Sequence, residues 1–201
     1  NGEGPFELAV YARGITDIVR DMFTDAPLVH KLLKKMSEVW IEIYRYYEKL
    51  LGKDMCPKNM SENPLGYFSP KQFREFIFPQ TKYIIEKIGG DPWLYYNYQG
   101  EDIHVFIEDI AELPKLSSCY VSGSADIKKC KEALSRKGVI SSFHFEAHDL
   151  YALSPKQIEE TCRKMIPIVA PEGGSSLNTG IIDSKVPEEN LQAFIKAAKK
   201  Y

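Results

Sequence analysis

The chain has 201 residues, 44% of them apolar and 27% charged, with a formal net charge of −2. That is enough apolar material for one sizeable core, and the charge balance excludes a basic nucleic-acid-binding surface. No apolar run approaches the roughly 18–20 residues that span a bilayer, and Asn1-Gly2-Glu3-Gly4-Pro5 lacks the basic start and apolar centre of a secretory leader. Cys56, Cys119, Cys130 and Cys162 form no CxxC pair, and a large core does not need disulfides. The expectation is a reduced, cytoplasmic protein with neither a nucleic-acid nor a membrane partner.

In chain order, residues 5–23 read as a short helical region broken at Gly14, with Thr16 as a candidate cap for its second half. Asp25, before Ala26-Pro27, is an N-cap with proline in the first turn. The amphipathic helix that follows repeats Val29, Leu32, Leu33, Met36, Val39, Trp40, Ile43, Tyr47 and Leu50 at helical spacing, and Gly52 ends it. Residues 53–68, with Pro57 and Pro64, read as irregular, holding at most a degraded strand unit. Ser69-Pro70-Lys71-Gln72 has the form of a capping box with proline at the first helical position, and its helix runs to Gly89-Gly90. The tetrapeptide recurs at Ser154-Pro155-Lys156-Gln157, as shared capping chemistry rather than a repeat.

From residue 92 the pattern alternates. Residues 92–98, 116–121, 139–145 and 175–182 are strand-like; 103–113, 125–137, 154–166 and 187–200 are helical. Gly173-Gly174 reads as turn geometry, and His148-Asp149 as a loop with a cap or surface role. Alternation of this kind implies parallel βαβ units. Four clear units and the degraded one make about five in one α/β domain over residues 1–201, as an open sheet or as part of a barrel.

Three collinear stretches resemble the uroporphyrinogen decarboxylase superfamily. They are Gly4-Pro5-Phe6-Glu7-Leu8-Ala9 with the long helix after it; Phe68-Ser69-Pro70-Lys71-Gln72-Phe73-Arg74-Glu75-Phe76 with Pro79; and Asn178-Thr179-Gly180 followed by Val186-Pro187-Glu188-Glu189-Asn190-Leu191. The last is similar to the ending of the corrinoid-dependent (methylcobamide:coenzyme M) methyltransferase branch. The resemblance implies a TIM-type barrel with its site at the C-terminal strand ends. It implies only the C-terminal five or so βα units, the family's first strands lying ahead of this segment. Two exposed sheet edges would then invite pairing, as a homodimer or with a partner chain that completes the barrel.

The methyltransferase branch activates a thiol with zinc held by His-x-Cys and a later Cys. Here those positions align with Tyr96-Asn97-Tyr98 and Ile181, so the resemblance implies no metal bound by the family ligands. The decarboxylase branch works without metal, through arginines early in its sequence, a segment this chain does not contain. Before Ser69, relatives carry acids; Cys56-Pro57-Lys58-Asn59-Met60-Ser61 shows Lys and Asn instead.

The strand ends would gather Tyr96, Asn97, Tyr98, Cys119, His144, Glu146, Asn178 and Thr179 at one mouth. From these, His144 and Glu146 are the catalytic candidates, as an acid–base pair. Tyr96, Asn97, Tyr98, Asn178 and Thr179 are the substrate-binding candidates; tyrosines suit a flat tetrapyrrole or corrinoid. A metal set of Cys119, His144 and Glu146 is a further arrangement, against which Cys119 reads as a small buried hydrophobe. The expected function is an enzyme-family protein acting on a tetrapyrrole or with a corrinoid protein, by methyl transfer or decarboxylation. The alternative is a non-catalytic accessory subunit.

Overall fold

The computed structural model describes residues 2–52, 59–62, 66–89, 93–95, 103–145, 147–179, 182 and 184–201. Six parallel strands lie side by side in sequence order. They are β1 (Gly2–Glu3), β2 (Asn59–Ser61), β3 (Trp93–Tyr95), β4 (Ser118–Ser122), β5 (Ile140–Phe145) and β6 (Ser175–Thr179). Sequential parallel order with right-handed crossovers places every connecting helix on the same face of the sheet. On that face Met60, Cys119, Val121, Phe143 and Phe145 are buried among the helices. Among the described residues the opposite face is free of crossover helices. No described helix is long and apolar enough to cross a membrane.

The expected count of about five units becomes six strands. The added strand is β1, whose two residues are too few for any periodicity to register; β2 is the degraded unit expected within residues 53–68. Both are held by register, Gly2 to Met60 and Met60 to Leu94.

The helices follow their caps. α1 (Pro5–Arg13) and α2 (Ile15–Thr24) meet at Gly14, whose φ of 84° only glycine adopts without strain. Gly14 itself, not Thr16, precedes α2; Thr16 lies within the helix. Asp25 caps α3 (Ala26–Leu51), its carboxylate accepting from the Leu28 N–H at 3.2 Å. The buried face of α3 is Val29, Leu33, Ser37, Trp40, Ile41 and Tyr44. Ile43, Tyr47 and Leu50, expected inside, are 50–61% exposed. A helix of this length, roughly 39 Å at 1.5 Å per residue, outruns the two-residue β1, over which Trp40 sits.

Ser69 and Gln72 form the expected capping box at α4 (Pro70–Gln72). The chain then widens into a π-helical turn, Phe73–Ile77, before α5 (Phe78–Ile88). Pro79 explains the widening: in a regular helix its ring would meet the Glu75 carbonyl. α6 (Ile107–Ala111) and α7 (Ile127–Ser135) connect β3 to β4 and β4 to β5. The stretch containing His148 and Asp149, read as a loop, is a short helix, α8 (Ala147–Ala152). α9 (Pro155–Val169) opens on the second capping box and continues through Pro167, past the expected end at 166. Gly173 and Gly174 make the turn into β6 with φ of 69° and 67°, and α10 (Glu188–Lys200) closes the described chain.

Candidate functional site

Strand register brings polar side chains together at the C-terminal ends of β4, β5 and β6. Ser122, His144 and Asn178 form one row across the sheet, and Tyr120, Ser142 and Ser176 form the row below. Side chains two residues apart point the same way along a strand, so both rows lie on the helix-free face.

The two rows are joined by hydrogen bonds. Asn178 Nδ2 donates to Ser142 Oγ and to Ser176 Oγ, each at 2.9 Å. Ser176 Oγ donates to Ser142 Oγ at 3.3 Å, and Ser142 Oγ lies 3.2 Å from His144 Nε2. The Tyr120 ring packs on the imidazole with centroids 3.7 Å apart. Burial pushes the His144 pKa down to about 4, so the ring is neutral at physiological pH. Gly123 permits the close approach of the two strand ends: a Cβ there would stand 2.7 Å from the His144 backbone carbonyl oxygen.

Of the residues singled out in the sequence, His144 and Asn178 are brought together through Ser142. Thr179 is not: it pairs in register with Phe145 and so belongs to the helix-covered face. Cys119 is also on that face, fully buried, its thiol pKa driven up by desolvation with Cys130 nearby. A metal set of Cys119, His144 and Glu146 is therefore not assembled, because Cys119 and His144 occupy opposite faces. Cys119 is the buried small hydrophobe of the simpler reading. His148 bonds to the Tyr151 hydroxyl at 2.8 Å on the exposed side of α8. Tyr96, Asn97, Tyr98, Glu146, Gly180 and Ile181 lie outside the described residues.

A second polar cluster, at the ends of β1 and β2, was not anticipated. Glu62 directly follows β2 and is fully buried. Its carboxylate accepts from the backbone N–H groups of Phe6, at 3.2 Å, and Glu7, at 3.0 Å, at the start of α1. Glu7 is itself buried, accepting from Ser61 Oγ at 3.2 Å and from the Tyr11 hydroxyl at 2.8 Å. Desolvation pushes the Glu62 pKa up to about 8 against the lowering effect of the two backbone donors. An acid one residue past a strand end was the available signal. Glu62 lies one residue beyond the 56–61 segment, where Lys58 and Asn59 stand in place of an acid. For the first cluster the signal was the polar-x-polar series Tyr120-x-Ser122, Ser142-x-His144 and Ser176-x-Asn178, visible only when three strands are read together.

A parallel sheet in sequence order, with helices on one face and polar groups gathered at the C-terminal strand ends, defines an α/β protein of the class that places its chemistry at that end. The family described as Uroporphyrinogen decarboxylase (URO-D) matches residues 2–201, and the chain belongs to that family. No curated protein matches the chain. Among solved structures, a methyltransferase from Methanosarcina mazei is similar at 16% sequence identity with a TM-score of 0.75, over 98% of this chain and 57% of that one. That likeness is one of fold, and the chain spans little more than half the length of that protein.

Tyr96, Tyr98 and Ile181, the residues that resemble the zinc-ligand positions of the methyltransferase branch, lie outside the described residues, and the Cys119 thiol is turned to the helix-covered face.

Proposed function

We propose that this URO-D protein acts on a tetrapyrrole or with a corrinoid, as a methyltransferase or decarboxylase relative whose divergent site does not use the family zinc. The observation that carries the reading is the Asn178–Ser176–Ser142–His144 network on the helix-free face, at the strand ends where this fold class binds its substrates. His144 and Glu146 are the acid–base candidates, and Tyr96, Asn97, Tyr98, Asn178 and Thr179 the substrate contacts, Thr179 through its backbone at the rim. The sheet corresponds to the C-terminal part of a TIM-type barrel. β1 and β6 are its edges among the described residues, and edges of this kind suit pairing with a second copy or a partner chain. The protein works in the cytoplasm.

The turned-away Cys119 and the absent family ligands support a second reading, a non-catalytic subunit that binds a corrinoid protein without turnover. Titration with aquacobalamin and with uroporphyrin I, followed by absorbance, tests both readings. Saturable binding of either supports the site; binding of neither removes the tetrapyrrole assignment. Methyl transfer from methylcobalamin to a thiol, or CO2 release from uroporphyrinogen, then separates the enzyme from the accessory subunit.

A further inference from the structure

The hydrogen-bond network leaves a single donor uncommitted. Asn178 Nδ2 has two protons, one on Ser142 Oγ and one on Ser176 Oγ. The Ser176 hydroxyl proton also goes to Ser142 Oγ. A hydroxyl oxygen has two lone pairs, and in Ser142 both are now filled. Ser142 cannot accept a third proton from His144 Nε2 and must donate its own proton to it. Nε2 is then the acceptor nitrogen, and the proton of a neutral imidazole resides on Nδ1. His144 Nδ1 is buried and has no hydrogen-bond partner among the described residues. A buried N–H without an acceptor is costly, so in native structures such a group calls for a functional role or for a water, ion or ligand that completes it.

We propose that His144 is the Nδ1-protonated tautomer and that Nδ1–H binds a neutral carbonyl oxygen of the ligand, a peripheral amide of a corrin rather than a carboxylate of a porphyrin. The preference for a neutral acceptor follows from charge. β4, β5 and β6 carry no Lys or Arg. The buried Lys131 is committed on the other face to the Gly173 carbonyl and Ser175 Oγ. A carboxylate placed against His144 would lose its hydration without gaining a counter-charge, whereas an amide carbonyl needs only the one donor. The downward shift of the His144 pKa agrees, since it keeps the ring from supplying that charge. The inference rests on the tetrapyrrole or corrinoid reading above and adds ligand binding to the part of His144 in it.

Two measurements on the full chain test it. The first is the 15N spectrum of the His144 ring, expected to show a protonated Nδ1 and an unprotonated Nε2. The opposite tautomer would mean that the Asn178 amide is reversed and would overturn the proposal whatever the ligand. The second is titration with aquacobalamin and with uroporphyrin I of the wild type, His144→Asn and His144→Gln, each checked for native unfolding behaviour. The Asn amide nitrogen occupies the place of Nδ1 and that of Gln the place of Nε2. His144→Asn should keep aquacobalamin binding, and His144→Gln should weaken it about tenfold, the scale of one net hydrogen bond. Equal affinity in both variants, or a loss confined to uroporphyrin, overturns the amide assignment. A protonated Nδ1 with no binding of either probe removes the tetrapyrrole reading itself, and this ligand assignment with it.

Discussion

Glu62 occupies the volume that a side chain on Gly4 would need: a Cβ built on Gly4 collides with the Glu62 carboxyl. Gly4 has an ordinary φ of −70°, so the requirement is steric rather than conformational. The glycine lets a fully buried carboxyl cap α1, and it joins the first and second strand ends through two backbone hydrogen bonds. Gly4→Ala should therefore destabilise the fold by about 1–3 kcal/mol, as overpacking does. A lowered urea midpoint with an unchanged slope is the expected result. An unchanged midpoint would mean that Glu62 swings aside freely.

The same carboxyl gives stability a pH dependence of definite sign. Its folded pKa lies near 8, above the ordinary value of 4.5. The folded state thus holds a proton that the unfolded chain has already released. The contribution is fully present below about pH 4.5 and is lost as pH rises to about 8. Glu62→Gln should flatten this slope. It should also lower stability overall, because an amide has one acceptor oxygen for the two N–H groups of Phe6 and Glu7. Urea unfolding at several pH values between these limits checks both effects.

His144 slopes the other way. Its folded pKa, about 4, is below the ordinary 6.5, so the folded state resists protonation. Its contribution is present above about pH 6.5 and is lost as pH falls towards 4. An NMR titration of the His144 ring should give a midpoint near 4; a midpoint above 6 would place the ring in water and remove the packing against Tyr120 from the account.

Asn190 holds α10 to α8. It is 3% exposed, and its Nδ2 donates to the carbonyls of Leu150, at 2.7 Å, and Leu153, at 2.8 Å, at the end of α8. Asn190→Ala should cost about 1–3 kcal/mol, since it leaves buried carbonyls without their donor. Thermal unfolding measures the loss. Hydrogen exchange should show faster opening of α8 and α10, with β4 protected as before.

The sequence by itself determined the elements whose signals are local. Asp25, Ser69 and Ser154 mark helix starts because a cap acts within four residues. The alternation after residue 92 marks parallel units because each strand and each helix is long enough to show its period. The three motif stretches were enough to identify the family. β1 has no signal of its own because two residues have no period, and β2 shows only as a degraded unit; the strand character of both comes from pairing with neighbours. The burial of Ile41 and Tyr44 in place of Ile43 and Tyr47 was likewise decided by the tertiary packing of α3 against α1, α2 and α5.

The sites divide in the same way. His144 and Asn178 were legible as polar residues at strand ends. That they share Ser142, that Thr179 and Cys119 turn to the other face, and that Glu62 reaches back to α1 were fixed only by register between strands. Register was decided by the tertiary structure. A shift of one residue would exchange the two faces of a strand, and the burial of Phe143 and Phe145 against the helices selects the arrangement that leaves His144 on the helix-free face.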